Sequence, residues 1–280
     1  MLPSQIAERA IQKTYRKDIW NRFVEGVKTY ELLKEGDRVC VCISGGKDSM
    51  LLAKCMQLLQ RHSDFPFDLR FLVLDPGYSP DNRQRILDNA ALLDVPVDVF
   101  DANIFGYVTK QSGSPCYLCA RMRRGYLYKY AQSLGCNKIA LGHHFDDVIE
   151  TTLMSMLYSG EMKTMLPKLH SQNYPGMELI RPLYLVKEHD ILRWVNYNDL
   201  HFLRCACKFE EENAEHGDDP TGARAKTKAL IAGLRKQDSN IDTNIFRAAQ
   251  NVNLETLISY RKGESVTSFL DGYDESVVSH

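Results

Sequence analysis

Asp37-Arg38-Val39-Cys40-Val41-Cys42-Ile43, followed at once by Ser44-Gly45-Gly46-Lys47-Asp48-Ser49, is the stretch that decides the fold. A run rich in β-branched residues stops abruptly at two glycines, and a helical pattern runs from residue 48 to about residue 59. That order reads as strand, tight loop, helix. The glycines let the backbone approach an anion closely and the helix start aims N–H groups at it, while Lys47 adds a cation and Ser44 and Ser49 add hydroxyls. The loop is too short for the G-x-x-x-x-G-K-[ST] cradle of β and γ phosphates. An ordinary glycine-rich turn is the plain alternative, but strand, loop and helix all agree on a phosphate cradle.

Downstream the pattern repeats. Residues 69–74, 95–100 and 138–141 read as strands, and residues 81–93, 118–134 and 146–158 as helices. Alternation of this kind predicts the α/β class, a doubly wound, Rossmann-like parallel sheet whose ligands sit beyond the carboxyl ends of the strands. Upstream, residues 5–33 carry apolar side chains at helical spacing, and residues 188–198 read as a further helix. After Cys205 come an acidic run, Glu210 to Glu212, and a basic helix with Arg224, Lys226, Lys228, Arg235 and Lys236. The expected organisation is an N-terminal helical segment over 1–35, a nucleotide-binding domain over 36–200 and a helical C-terminal appendage over 201–280.

The 280 residues include 35 Lys+Arg against 36 Asp+Glu, a formal net charge of -1. A strong phosphate-binding footprint usually makes a domain basic, so any RNA contact must come from local patches. No apolar run approaches the ~20 residues of a membrane-spanning helix. The opening MLPSQIAERAIQKTYRKD has no apolar leader core, and the protein is expected in the cytoplasm.

Eight cysteines in such a chain suggest metal, redox chemistry or packing more than disulfides. Cys116-Tyr117-Leu118-Cys119, preceded by Pro115 and followed by Arg121, Arg123 and Arg124, places two thiols three apart at a helix start. Arginines and a helix N-terminus both favour thiolate. Cys205-Ala206-Cys207 could add a third ligand. Three thiolates would leave one iron of a four-iron cluster open; a structural zinc on Cys116, Cys119, Cys205 and Cys207, or a redox pair, would also suit the spacing. Cys40, Cys42, Cys55 and Cys136 lie in apolar surroundings and read as packing.

Gly142-His143-His144-Phe145-Asp146-Asp147 follows the strand ending near Leu141, where a ligand belongs in this fold. Its carboxylates could hold Mg²⁺ or order a reacting carbonyl, and its histidines could donate to phosphate oxygens. Alone, the segment reads as a capped helix start with Asp146 as the cap. Beside the cradle, it reads as the second half of a site.

SGGKDS resembles the PP-loop of the ATP pyrophosphatase superfamily, which cleaves ATP between the α and β phosphates. PCYLCARMRRGYLY, KIALGHHFDD, MLYSGEMKTMLPKL, IRPL and NIFRAAQNV extend the similarity to the tRNA 2-thiocytidine synthetase family over nearly the whole chain. The resemblance implies ATP bound by Ser44, Gly45, Gly46, Lys47, Asp48 and Ser49 with Asp75, Gly142 and His143, and catalysis involving Lys47, Asp146 and Asp147. It implies Mg²⁺ and a [4Fe-4S] cluster on Cys116, Cys119 and Cys205, with Cys207 in reserve. Family members usually carry Cys-x-x-Cys at the last site, and this chain departs from that. The substrate implied is tRNA, thiolated at an anticodon-loop cytidine, with a cysteine desulfurase or free sulfide as sulfur donor; a homodimer is compatible with it. Candidate RNA contacts are Arg121, Arg123, Arg124, Arg224, Lys226 and Lys228, each of which could equally lie on a solvated helix face. Rival readings are a tRNA thiouridine synthetase, weakened because no further Cys/His set for zinc ribbons is present, an adenylyl-sulfate-type reductase, a lysidine-type ligase and a non-catalytic cluster carrier.

Overall fold

The computed structural model describes residues 1–108, 115–203, 222–271 and 273. Its centre is a six-stranded sheet in the order β3-β2-β1-β4-β6-β5, built from β1 (Arg38–Ile43), β2 (Asp68–Asp75), β3 (Val97–Asp101), β4 (Lys138–Ala140), β5 (Lys168–His170) and β6 (Glu178–Ile180). β1, β2, β3, β4 and β6 run parallel, and β5 pairs antiparallel on the edge. The chain leaves β1 towards β2 and β3 on one side, then returns to place β4 on the other. The switch point therefore lies between the carboxyl ends of β1 and β4, where open α/β sheets bind their ligands.

β1 is central because it can be buried on both faces. Val39, Val41 and Ile43 join one apolar cluster with Met50, Leu51, Phe71 and Ile180. Cys40 and Cys42 face the opposite cluster, with Tyr128, Ala131 and Cys136. These thiols and Cys55 are buried packing groups, as their sequence surroundings imply. α3 (Lys47–His62) covers the first face and α6 (Pro115–Ser133) the second; α4 (Pro80–Leu92), α5 (Ile104–Val108) and α7 (Phe145–Ser159) complete the crossovers.

At the N-terminus α1 (Pro3–Arg9) runs through two π-helical turns flanking Tyr15 into α2 (Asn21–Thr29). The single helix pattern of the sequence thus carries an irregularity at Tyr15, whose hydroxyl donates to the Arg193 carbonyl at 3.0 Å. Trp194, on α8 (Glu188–Tyr197), donates its indole N–H to the Ala7 carbonyl at 3.1 Å. Ala7, Ile11, Ile19 and Phe23 share the cluster of the sheet's first face.

Beyond residue 221, α9 (Ala223–Arg235) and α10 (Ile241–Ala248) pack on α7 through Phe145, Ile149 and Ile231. A β-hairpin follows, β7 (Ser259–Lys262) with β8 (Ser265–Ser268). The sequence reading gave this region helices only; the hairpin and β5 escaped it because short, largely exposed strands show little apolar alternation. Among the described residues no helix is long and apolar enough to cross a membrane.

Candidate active site

β1 ends at Ile43, and the chain turns through Ser44, Gly45 and Gly46 into α3. Gly45 takes φ +84°, and a Cβ there would lie 2.5 Å from Ile86 Cγ1, so only glycine fits the turn. The hydroxyls brace the loop: Ser44 N–H donates to Ser49 Oγ at 3.2 Å, and Ser49 Oγ donates to the Gly46 carbonyl at 2.9 Å. The first N–H groups of α3 lack intrahelical acceptors, as at every helix start, and point into this turn.

Opposite stands the segment after β4. Gly142 approaches so closely that a Cβ would meet Ser49 N at 3.0 Å and the Asp48 carbonyl carbon at 3.1 Å. Asp147 Oδ2 accepts from the His144 backbone N–H at 3.0 Å, which fixes the start of α7. Between the two strand ends lies a cavity of about 370 Å³. Ser44, Asp48, Ser49, Gly142, His143 and Asp147 line it, and α6 contributes Arg123, Arg124 and Leu127.

Residues 6–207 match the PP-loop domain family. A tRNA-cytidine(32) 2-sulfurtransferase of Coxiella burnetii (strain Dugway 5J108-111) is 32% identical over 255 residues, 89% of this chain and 95% of that one. A tRNA-cytidine(32) 2-sulfurtransferase 1 of Francisella philomiragia is 34% identical over 253 residues, 88% of this chain and 94% of the relative. The chain belongs to the tRNA-cytidine(32) 2-sulfurtransferase family, within the PP-loop proteins. A solved structure with the same fold is the U34-tRNA thiolase NcsA from Methanococcus maripaludis with its [4Fe-4S] cluster, at a TM-score of 0.63 and 19% identity, covering 85% of this chain and 80% of that chain.

In this member of the sulfurtransferase family the acidic and basic groups form a network. Lys47 Nζ pairs with Asp48 Oδ2 and Glu188 Oε1, each at 3.1 Å. Burial works against its ammonium, but those carboxylates outweigh burial and raise its pKa. Glu188, which sequence reasoning did not single out, also pairs with Lys228 at 2.7 Å. Burial opposes its charge, yet Lys228 and Lys47 hold its carboxyl down to about 2. Asp146 turns away from the cavity: it accepts from the Glu188 N–H at 2.7 Å and pairs with Arg235. Asp147, on the cavity wall, pairs with Arg224 at 3.1 Å; burial disfavours its charge, but His144, His143 and Arg224 keep its pKa low. Burial first, and Arg181 second, push His143 down to about 4.

Asp75 stands at the end of β2, outside the cavity lining. Its Oδ1 accepts from the N–H groups of Gly77 and Tyr78 at 2.8 and 2.7 Å, and its Oδ2 pairs with Arg83 at 2.8 Å. Leu74 beside it does reach the cavity. Of the candidate RNA contacts, Arg123 and Arg124 line the cavity and Arg121 lies on a neighbouring groove, whereas Arg224 and Lys228 are paired with site carboxylates and Lys226 is exposed.

Cys116 and Cys119 both fall in the first turns of α6. Cys119 is buried beside Leu74, Ile104 and Phe105, one turn before Arg123. Cys205 and Cys207 lie outside the described residues. Among the described residues no three His, Cys, Asp or Glu side chains gather as a metal group. Glu188 had no signal in the sequence that could have found it, because its partners Lys47 and Lys228 lie 141 and 40 positions away along the chain, whereas Arg181 lay within the IRPL motif without its role being legible.

Proposed function

We propose that the protein is an ATP-dependent tRNA sulfurtransferase that replaces O2 of an anticodon-loop cytidine with sulfur. The observation that carries this is the cavity at the switch point, walled by the phosphate cradle, by the Gly142–Asp147 segment and by the helix bearing Cys116 and Cys119. The activity for which the Coxiella and Francisella relatives are named accords with it.

ATP would lie with its phosphates on the loop from Ser44 to Ser49, held by helix-start N–H groups, the serine hydroxyls and Lys47. Cytidine O2 attacks the α phosphorus and pyrophosphate leaves, giving the O-adenylated base. Sulfide then attacks C2, the C2–O bond breaks and AMP departs. Lys47 at the start of α3, and Arg123 and Arg124 on the α6 wall of the cavity, favour the charge that builds on the phosphates. Asp48 Oδ1 is buried without a hydrogen-bond partner, and Asp147 lines the same cavity, a donor set that fits Mg²⁺. Asp146 acts on this reading through the Glu188 backbone and not on substrate.

Cys116 and Cys119, at the start of a helix whose next turn reaches the cavity, fit a cluster completed by Cys205, or by Cys207 in reserve. When bound, a [4Fe-4S] cluster with three protein ligands supplies an open iron for holding sulfide. Sulfur would come from a cysteine desulfurase or from free sulfide, and the adenosine would lie towards Leu74 and Asp75.

The test is anaerobic turnover with tRNA, labelled ATP and sulfide. AMP, pyrophosphate and a thiolated cytidine are expected; ADP with orthophosphate would exclude adenylation. Iron content separates the ligand choices: Cys205→Ala should lose it and Cys207→Ala retain it.

A further inference from the structure

α6 carries Arg121, Arg123 and Arg124, and the charge of Arg124 acts on Arg181, just after β6. Among the described residues none of the four has a carboxylate within 4.0 Å. Arg181 is 8% exposed. Its Nε donates to His143 Nδ1 at 3.3 Å and its Nη1 to the Leu166 carbonyl, both neutral partners. Burial and the charge of Arg124 push its pKa down to about 10. A cation disfavoured by burial and by a like charge is stabilised when an anion arrives. Three of the α9 cations are in the opposite condition, since Arg224, Lys228 and Arg235 already face Asp147, Glu188 and Asp146, and only the exposed Lys226 does not. The surface that seeks an anion is therefore the α6 side.

On that side a groove of about 770 Å³ runs between α6 and the turn joining β5 to β6. Arg121, Arg124 and Tyr128 fall on one face of α6 at i, i+3 and i+7. Tyr174 stacks on Tyr128 with centroids 5.2 Å apart and planes 15° from parallel. The far wall is the turn itself, with His170 89% exposed and Gln172 beside it also exposed. The turn is preformed: Tyr174 N–H donates to Ser171 Oγ at 3.2 Å and Ser171 N–H to the Met177 carbonyl at 2.9 Å. Arg124 lines both this groove and the cavity of the phosphate cradle, so the two are contiguous.

Arginines with no carboxylate partner among the described residues, stacked aromatic rings and exposed amide and imidazole groups along one groove are what a single RNA strand recognises: phosphate charge, ring faces and base edges. We propose that this groove binds the unpaired nucleotide adjacent to the one entering the cavity, with phosphate on Arg121 and Arg124 and its base against Tyr174, His170 and Gln172. The inference rests on the tRNA-thiolation reading above. It assigns the RNA footprint to α6 and the β5–β6 turn and withholds it from α9.

The test is the affinity of an anticodon stem-loop RNA over a salt series for the full-length protein, Arg121→Ala, Arg121→Lys and the double variant His170→Ala/Gln172→Ala. ATP binding and iron content are measured alongside. Arg121→Ala should bind about tenfold more weakly, with the log–log salt slope reduced by roughly one, and Arg121→Lys should recover most of both. The double variant should weaken binding a few-fold at unchanged slope, and ATP binding should stay constant throughout. Wild-type affinity and slope in Arg121→Ala and in the double variant would overturn the groove while leaving the thiolation reading intact. Unchanged RNA affinity with turnover lost only when a protein supplies the sulfur would overturn it in favour of a donor-docking surface. A wild-type protein that binds no stem-loop RNA would sink the thiolation reading and the groove with it.

Discussion

Asp146 and Asp147 are adjacent in sequence and differ in what they touch. Asp147 faces the cavity, whereas Asp146 is buried under α8 and α9, holding the Glu188 N–H and Arg235. Asp147→Asn should lower ATP-dependent thiolation by about 10²-fold or more, a loss far larger than the stability its contacts with the His144 N–H and Arg224 supply. Asp146→Asn should instead lower stability by about 1–3 kcal/mol, because a neutral amide leaves a partly buried charge and a backbone donor poorly matched. Thermal unfolding run beside a turnover assay separates the two, and equal behaviour of both variants would refute the distinction. The same site sets an acid limit. His143 is held to about 4, below its ordinary 6.5, so the unfolded chain binds more protons between those values; its stabilisation is complete above about pH 6.5 and lost as pH falls towards 4. Glu188, held to about 2 from 4.5, contributes fully above 4.5 and loses its share as pH falls through 2. The groups around His143 are Arg181, Asp147, Arg224 and His144. Denaturant midpoints should fall from pH 6.5 to 4 and fall further below 4.5, and His143→Gln should flatten the upper part of that fall.

At the scale of elements, two glycines set the distance between the halves of the site. Gly142→Ala would press a methyl against the backbone of Ser49 and Asp48, and backbone cannot rotate aside. The β4 end and α3 must then separate, and ATP affinity should drop about tenfold or more, the equivalent of roughly 1–3 kcal/mol of overpacking. Gly45→Ala meets both a positive φ and Ile86; isothermal titration should find ATP binding weakened and unfolding at a lower temperature. Helix α9 acts on the site through charge. Arg224 neutralises Asp147 from a half-exposed position, a pair of roughly 0.5 kcal/mol. Arg224→Ala should therefore lower the Mg²⁺ concentration for half-maximal turnover about twofold, and an increase would contradict the assignment of Asp147 to the metal. Strands β1 to β4 and helices α3, α4, α6 and α7 were legible from periodicity to within a few residues, since burial on both faces or on one stripe writes itself into local sequence; the short α5 was not. The β5–β6 pairing and the β7–β8 hairpin were not, because what holds them is pairing between chain segments and not an apolar pattern of their own.

Across the whole molecule, remote segments are tied by charges set inside apolar layers. Lys54, within the apolar run of α3, is 1% exposed and pairs with Glu8 of α1 at 2.7 Å while donating to the Leu93 carbonyl at 2.7 Å. At the amino ends of the strands, away from the cavity, Lys138 joins Asp37 and Glu178 at 3.1 and 2.7 Å. Glu8→Ala should cost about 3 kcal/mol by leaving a buried ammonium without its counter-ion, with ATP affinity of the folded protein unchanged. A loss below about 0.5 kcal/mol in a denaturant titration would show that Lys54 is not held by Glu8. What the sequence determined by itself is whatever depends on neighbours in the chain: the phosphate loop after β1, the thiol pair opening α6, the acidic start of α7, and the alternation that makes a parallel sheet. What only the tertiary structure decided is which charges meet. It set Lys47 against Glu188, turned Asp146 inward and Asp147 to the cavity, paired Arg224 and Lys228 with site carboxylates, and left Arg121, Arg123 and Arg124 without one among the described residues. The reason is range: backbone preference and periodicity act over a few residues, whereas an ion pair acts over a few ångströms between atoms that the fold brings together from anywhere along the chain.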